Sequence, residues 1–205
     1  MIPSMSTRTE PRGHGPTRER ILDVAIEVLG AAPDAGMGEI AAAAGVVRRT
    51  VYGYFPSRAD LLLALAQRAA AEIEAVLAES DPPGAAADAA WATFVARLWP
   101  LVHRYRVLVV LRRGELGPAI HAALARVDTP MTTLVRRGQD DGAFGRHLPA
   151  DVLSQLAWST VFTVADHDSS RETVSARAVT TASLLVLGVP HTRADELADV
   201  QTRQP

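Results

Sequence analysis

Apolar side chains recur at helical spacing along most of this chain, and the interruptions between them fall where glycine and proline cluster. Ile21, Leu22, Ala25, Ile26, Val28 and Leu29 form a stripe that predicts a helix from Arg18 to about Gly30. Thr17 is placed to cap it, and the loop 30–36, with Pro33 and Asp34, ends it. Ser57 and Asp60 then form an S-x-x-D capping signature for a helix through Leu61, Leu62, Leu65, Ala69, Ile73 and Val76 to about Ser80. Asp81-Pro82-Pro83-Gly84 stops that helix.

From Ala85 the apolar positions carry larger side chains, among them Trp91, Phe94, Leu98, Trp99, Leu101, Leu108 and Val109. Pro100 lies inside this helical pattern, so a kink or break is expected there. A helix is expected from Gly117 or Pro118 to Arg137, followed by a loop over 138–146. Another should run from Pro149-Ala150-Asp151 to about Ala165. A last one, capped by Ser169 and Glu172, should reach Gly188-Val189-Pro190. Everything after His191 reads as a polar tail.

Between Met37 and Asp60 the spacing is tighter and more specific. Ile40, Ala41 and Ala44 are followed by Gly45, then by Val46, Val51 and Tyr54. Two short helices that cross steeply need a small residue where they touch, here Ala41, and a residue that accepts positive φ at the turn, here Gly45. This is helix-turn-helix spacing. Val46 and Val51 seal the second helix onto the first, which leaves Arg48, Arg49, Thr50, Tyr52 and Tyr54 facing outward or partly so. Arginine forks, a hydroxyl and two phenol rings suit a DNA groove and its phosphates, and no acidic residue interrupts the run from Ile40 to Ser57.

These residues, together with Thr50-Val51-Tyr52, Tyr54-Phe55 and Pro56-Ser57-Arg58, resemble the DNA-binding domain of the tetracycline-repressor (TetR) family over about the first third of the chain. The resemblance implies that the start of the first helix, at Thr17, touches DNA and that Tyr52, Tyr54 and Arg58 contact phosphates. Arg48 and Arg49 are the candidates for base edges, guanine first, and Thr50 for a phosphate or a thymine methyl. Two positions depart from the family pattern. Val47 stands where Ser or Thr is usual at the start of the recognition helix, and Met37 lies near another usual Thr or Ser. Valine cannot cap a helix, so that end is expected to be poorly satisfied or capped by DNA phosphate.

Composition narrows the picture further. The chain has 205 residues, 48% hydrophobic and 5% aromatic, which favours an all-α fold with a sizeable core. The net charge is −2, so DNA binding has to come from a local patch rather than from overall basicity. All 21 basic side chains are arginine, which reads as a GC-rich coding bias. With no cysteine, disulfides and thiolate metal sites are excluded. No apolar run approaches a membrane span and the first twenty residues lack the apolar core of a signal peptide, so a cytoplasmic protein is expected.

Catalytic chemistry is thin. There is no G-x-S-x-G, phosphate-cradling glycine loop or H-E-x-x-H. Asp166-His167-Asp168 is the one tight carboxylate–imidazole cluster, and three sequence neighbours cannot face one point on a helix. No catalytic residue, metal or cofactor is assigned. In the second half, Trp91, Phe94, Trp99, Trp158, Phe162, Met131 and Leu134 either line an apolar ligand pocket, with His103, Tyr105 or Gln155 as polar handles, or form plain core.

The expected organisation is an arm over 1–16, a helix-turn-helix domain over 17–62, a helical ligand-binding and dimerisation domain over 63–190, and a flexible tail over 191–205. With Arg8 and Arg12, the arm either lies in a minor groove or is a solvated tail. The TetR resemblance implies a homodimer formed through the last two long helices. The small residues Ala176, Ala178, Ala182 and Ser183, with Leu184 to Leu187, fit that interface or an ordinary intrachain core. The resulting expectation is a ligand-responsive regulator, a repressor that binds a palindromic operator in double-stranded DNA and is released by a small, largely apolar effector of unknown identity. The alternatives are a DNA-binding regulator with no such effector and a small helical enzyme.

Overall fold

The computed structural model describes residues 14–168 and 174–202, and within them every regular element is a helix. Most of the expected arm, the Ser169–Glu172 cap and the last three residues therefore lie outside the described residues. The chain divides into two compact units, 1–61 and 62–205, with the boundary inside one long helix.

In the smaller unit, α1 (His14–Ala31) packs on α2 (Met37–Ala43), and α2 on α3 (Arg48–Tyr54). Ile21, Leu22, Ala25, Ile26 and Leu29 of α1 are buried at the i, i+1, i+4, i+5, i+8 positions of one face. Ile40 and Ala41 of α2 and Val51 of α3 meet them, with Phe55 just beyond. The turn between α2 and α3 is a Schellman motif. Gly45, at φ +65°, donates its N–H to Ala42 O (3.1 Å), and Val46 N donates to Ala41 O (3.0 Å). A side chain at 45 would be strained in this left-handed conformation. At the other end of α2, Gly36 N–H donates to Glu39 Oε2 (2.7 Å), a reach-back from the third helical residue. The α1 helix begins three residues before Thr17, which therefore sits in its first turn and does not cap it.

The boundary helix, α4 (Arg58–Ser80), opens with Ser57 as cap. Asp60 N–H donates to Ser57 Oγ (3.1 Å), and that hydroxyl donates to Asp60 Oδ2 (2.6 Å).

The larger unit is built around α5 (Ala87–Arg104), whose Trp91, Phe94 and Leu98 are fully buried. It continues through α6 (Arg106–Leu111), α7 (Gly117–Leu124), a 3-10 turn (Ala125–Val127), α8 (Asp128–Asp140), α9 (Ala150–Asp168), α10 (Ala176–Val186) and α11 (His191–Thr202). α8 packs on α9, while α10 lies against α5, α9 and α11.

Several boundaries differ from the sequence expectation. α5 runs unbroken across Pro100 and ends at Tyr105 (φ −97°, ψ 24°). The proline removes one amide donor, but the buried Leu98, Trp99 and Val102 keep the segment packed. The single helix expected over 117–137 is two helices around a 3-10 turn. Pro130 has no N–H to continue a helix from the preceding turn, and it is accommodated in the first turn of α8. α8 then passes through Gly138, where a Cβ would come within 2.2 Å of the Phe144 ring. The loop thus closes by laying Phe144 on that glycine.

The tail expected from 191 is instead the packed helix α11. Its Ala194, Leu197 and Ala198 are buried at i, i+3, i+4, a narrow stripe of mostly small residues among many polar ones. Arg193 Nε–Asp88 Oδ2 (2.9 Å) and Arg177 Nε–Asp199 Oδ1 (2.5 Å) tie it to α5 and α10.

Among the described residues no helix is long and apolar enough to cross a membrane.

Candidate nucleic-acid interface and ligand cavity

The α3 helix is short and buries only Val51, so nearly all of its side chains are available to a partner. Arg48 and Arg49 are exposed on its first turn, while Thr50 and Tyr54 are half-buried. Val47, immediately before them, is 71% exposed and makes no capping bond, as expected for valine at that position. Arg48 Nη2 donates to Tyr52 Oη (3.3 Å), and its guanidinium lies 5.4 Å from the centre of the Tyr52 ring. Tyr52 thus lends Arg48 a direction one turn along the helix. Arg49 has no partner among the described residues.

Arg58 is placed differently from the expectation. Its Nε donates to Ala35 O (3.3 Å) and its Nη2 to Pro33 O, so the fork clamps the loop between α1 and α2. A guanidinium engaged with two carbonyls is a structural clamp, a role that the expected DNA phosphate contact did not include. Arg18 was not singled out by the spacing of apolar residues; it lies 5.3 Å over the Phe55 ring and fixes the start of α1 against the end of α3.

The larger unit contains a cavity of about 470 Å³, bounded by α6 to α9. Gln155, Trp158 and Phe162 line it, as the pocket reading expected, together with Arg112, His121 and Asp128, which that reading did not include. A small, wholly apolar void of about 30 Å³ adjoins it through Arg112, Leu124 and Phe162, and Tyr105 lines that void.

The other pocket candidates lie elsewhere. Trp91, Phe94, Met131 and Leu134 are buried core and line neither space, and Trp91 Nε1 donates to the buried Ser183 Oγ (3.2 Å). Trp99 and His103 pack edge to face on one another, 4.7 Å apart, away from both spaces. The aromatic residues therefore divide between cavity wall and plain core. The wall is assembled from four helices, and only the α9 residues share a spacing that a sequence could reveal.

Arg112 is the one arginine among the residues that line the cavity. Its Nη2 donates to Asp166 Oδ2 (2.6 Å), an oxygen that also accepts from Arg113 Nη2 (2.6 Å). Its guanidinium covers the Phe162 ring at 5.1 Å, and its buried Nε has no hydrogen-bond partner. Asp166 is thus committed to ion pairing, whereas the side chains of His167 and Asp168 lie outside the described residues. No group of three metal-ligating side chains occurs among those described.

Beside the void, Tyr105 Oη donates to Glu72 Oε1 (2.8 Å). The same carboxylate accepts from Arg68 Nε (3.1 Å) and Arg104 Nη1 (3.2 Å).

On α9 and α10, Val152, Leu156 and Leu185 remain 41–45% exposed, whereas Ser183, Leu184 and Leu187 are buried within the chain itself.

Residues 21–65 match the model of the bacterial regulatory proteins of the tetR family. The HTH-type transcriptional repressor LfrR of Mycolicibacterium smegmatis is 49% identical over 74 residues, a stretch that makes up 36% of this chain and 39% of that protein. The match therefore spans well under half of the relative's length. The crystal structure of LfrR from Mycobacterium smegmatis in complex with proflavine aligns over 92% of this chain and 96% of that one, at 26% identity and a TM-score of 0.59. RolR in complex with resorcinol aligns over 92% and 94%, at 19% identity and a TM-score of 0.67, a likeness of fold.

Proposed function

From the match of residues 21–65 to the tetR family model we propose that the chain is a TetR-type, ligand-responsive transcriptional repressor acting on double-stranded DNA in the cytoplasm. The observation that carries the reading is α3, a family-matched helix whose first turn presents Arg48 and Arg49 to solvent with no acidic neighbour. In this reading both arginines reach base edges, guanine O6 and N7 first. Thr50, Tyr54 and the start of α1 at Thr17 meet phosphates, and Tyr52 steers Arg48 as well as facing the backbone. Arg58 is left out of the DNA-facing set.

One short reader spans only a few base pairs, so two copies related by a two-fold axis would read a palindrome with half-sites about 34 Å apart. The uncovered Val152 and Leu156 on α9 and Leu185 on α10 support a homodimer through these helices. The cavity supports effector control, because about 470 Å³ lies within the size range of small-molecule sites. Two structural neighbours hold aromatic compounds, proflavine in LfrR and resorcinol in RolR. An effector releases DNA only to the extent that it prefers the conformation that does not bind DNA.

The test is selection of bound DNA from a random pool, followed by fluorescence anisotropy on the selected site. A palindrome with guanines in each arm, bound by two chains, is expected. Arg48→Ala with Arg49→Ala should weaken binding by about 1–3 kcal/mol for each bidentate arginine–base pair removed. Selection that yields no sequence preference, or a double variant that binds like the wild type, would refute the assignment.

A further inference from the structure

We propose that the effector is a compact aromatic carboxylate whose ring packs on the Trp158–Phe162 wall and whose acid group pairs with Arg112; this rests on reading the α6–α9 cavity as the effector site. Four observations lead there.

The first is the wall. Trp158 and Phe162 stand edge to face 4.7 Å apart, and Leu124 borders them, which gives flat apolar surface suited to a ring.

The second is the charge balance at the inner end. Arg112 and Arg113 share a single oxygen of Asp166, so two guanidinium cations are set against that one carboxylate. A ligand anion would supply the missing counter-charge in a partly desolvated place, where charge-assisted hydrogen bonds are strongest.

The third is the state of the Arg112 fork. Only Nη2 is engaged. Nη1 has no partner among the described residues, and Nε is buried without one. Nε is closed off from the cavity, which leaves Nη1 as the donor that an acceptor on the ligand would take.

The fourth is His121 at the exposed side of the cavity. Its Nδ1 lies 2.8 Å from Gly117 O. A carbonyl can only accept, so Nδ1 carries the hydrogen and Nε2 is left to serve a second polar group on the ligand.

Asp128 also lines the cavity and is the group that would argue for a cation. It is the first residue of α8, an acidic position in the first turn that the helix dipole favours. Among the described residues, Arg112 has no comparable balance beyond the oxygen it shares.

The experiment uses the full chain and three probes of nearly one shape, 1-naphthoate, 1-naphthamide and 1-naphthylmethylammonium, titrated by calorimetry and by tryptophan fluorescence. In parallel, each probe is tested for displacement of the protein from its selected DNA site. Naphthoate should bind at least about tenfold more tightly than the other two. Arg112→Gln should reduce that preference to less than about threefold, Arg112→Lys should restore part of it, and Asp128→Asn should leave it in place.

The comparison between probes on the unmutated protein stands even if Arg112→Gln proves unstable. Equal binding of naphthoate and naphthamide, or a preference for the ammonium that Asp128→Asn abolishes, overturns the carboxylate assignment. In either case, release of DNA by whichever probe binds keeps the effector reading intact. If no probe binds, the aromatic-carboxylate proposal fails. A compound that releases DNA without competing for this cavity refutes the effector site itself.

Discussion

Replacing Tyr105 by phenylalanine removes one oxygen from the larger unit and leaves its shape unchanged, so the consequence can be worked out from a single bond. Tyr105 is 4% exposed, and its hydroxyl donates to Glu72 Oε1 at 2.8 Å. A hydrogen bond to a charged group contributes about 1.5–3 kcal/mol. Glu72 keeps Arg68 at 3.1 Å and Arg104 at 3.2 Å in the variant, so its charge is not stranded, and a loss near 1.5 kcal/mol is expected.

Tryptophan emission is the appropriate signal, because Trp91, Trp99 and Trp158 all lie in this unit. In urea at neutral pH the midpoint should fall with the slope unchanged.

A second signature comes from titration. Burial, reinforced by the bond to the anionic Glu72, pushes the Tyr105 phenol well above its ordinary pKa. The folded state therefore keeps its proton where the unfolded chain, with a phenol pKa of about 10, begins to lose it. This share of stability is fully present below that pH and is lost as pH rises toward the folded-state pKa, by at most about 1.4 kcal/mol per pH unit. Tyr105→Phe should remove that share of the alkaline slope. A variant as stable as the parent at neutral pH, with the same decline above pH 10, would refute this account of the Tyr105–Glu72 bond.

Two further substitutions test the packing. Gly138→Ala places a methyl group where the Phe144 ring stands, with a 2.2 Å approach, and should cost about 1–3 kcal/mol in urea denaturation. A neutral result would mean that Phe144 moves aside freely. Ser183→Ala strands the indole N–H of the fully buried Trp91, with an expected loss of about 1–3 kcal/mol and an altered emission maximum. An unchanged spectrum with unchanged stability would show that another acceptor takes its place.

The smaller unit was largely legible in the sequence because its determinants are local. Gly45 two residues after α2, Ser57 with Asp60, and the small Ala41 at the crossing act over four residues or fewer, and the structure uses each in that way. The clamp role of Arg58 was not legible because its partners, the carbonyls of Pro33 and Ala35, are backbone groups more than twenty residues away and leave no side-chain pattern. The cavity was legible only along α9, where Gln155, Trp158 and Phe162 share a face. Arg112 and His121 belong to separate short segments, and nothing in their spacing joins them. The α11 helix was hidden for a different reason. Its buried side chains are two alanines and one leucine, a stripe too slight to stand out from the polar residues around it.

The clamp at Arg58 bears on how the protein can evolve. If base composition alone excluded lysine, a host drifting toward AT-rich codons could exchange most surface arginines for lysine at little cost. Position 58 would resist, because an ammonium on a flexible stem lacks the planar spread that reaches the oxygens of residues 33 and 35 together. In lineages where lysine returns, this arginine is expected to be among the last to change.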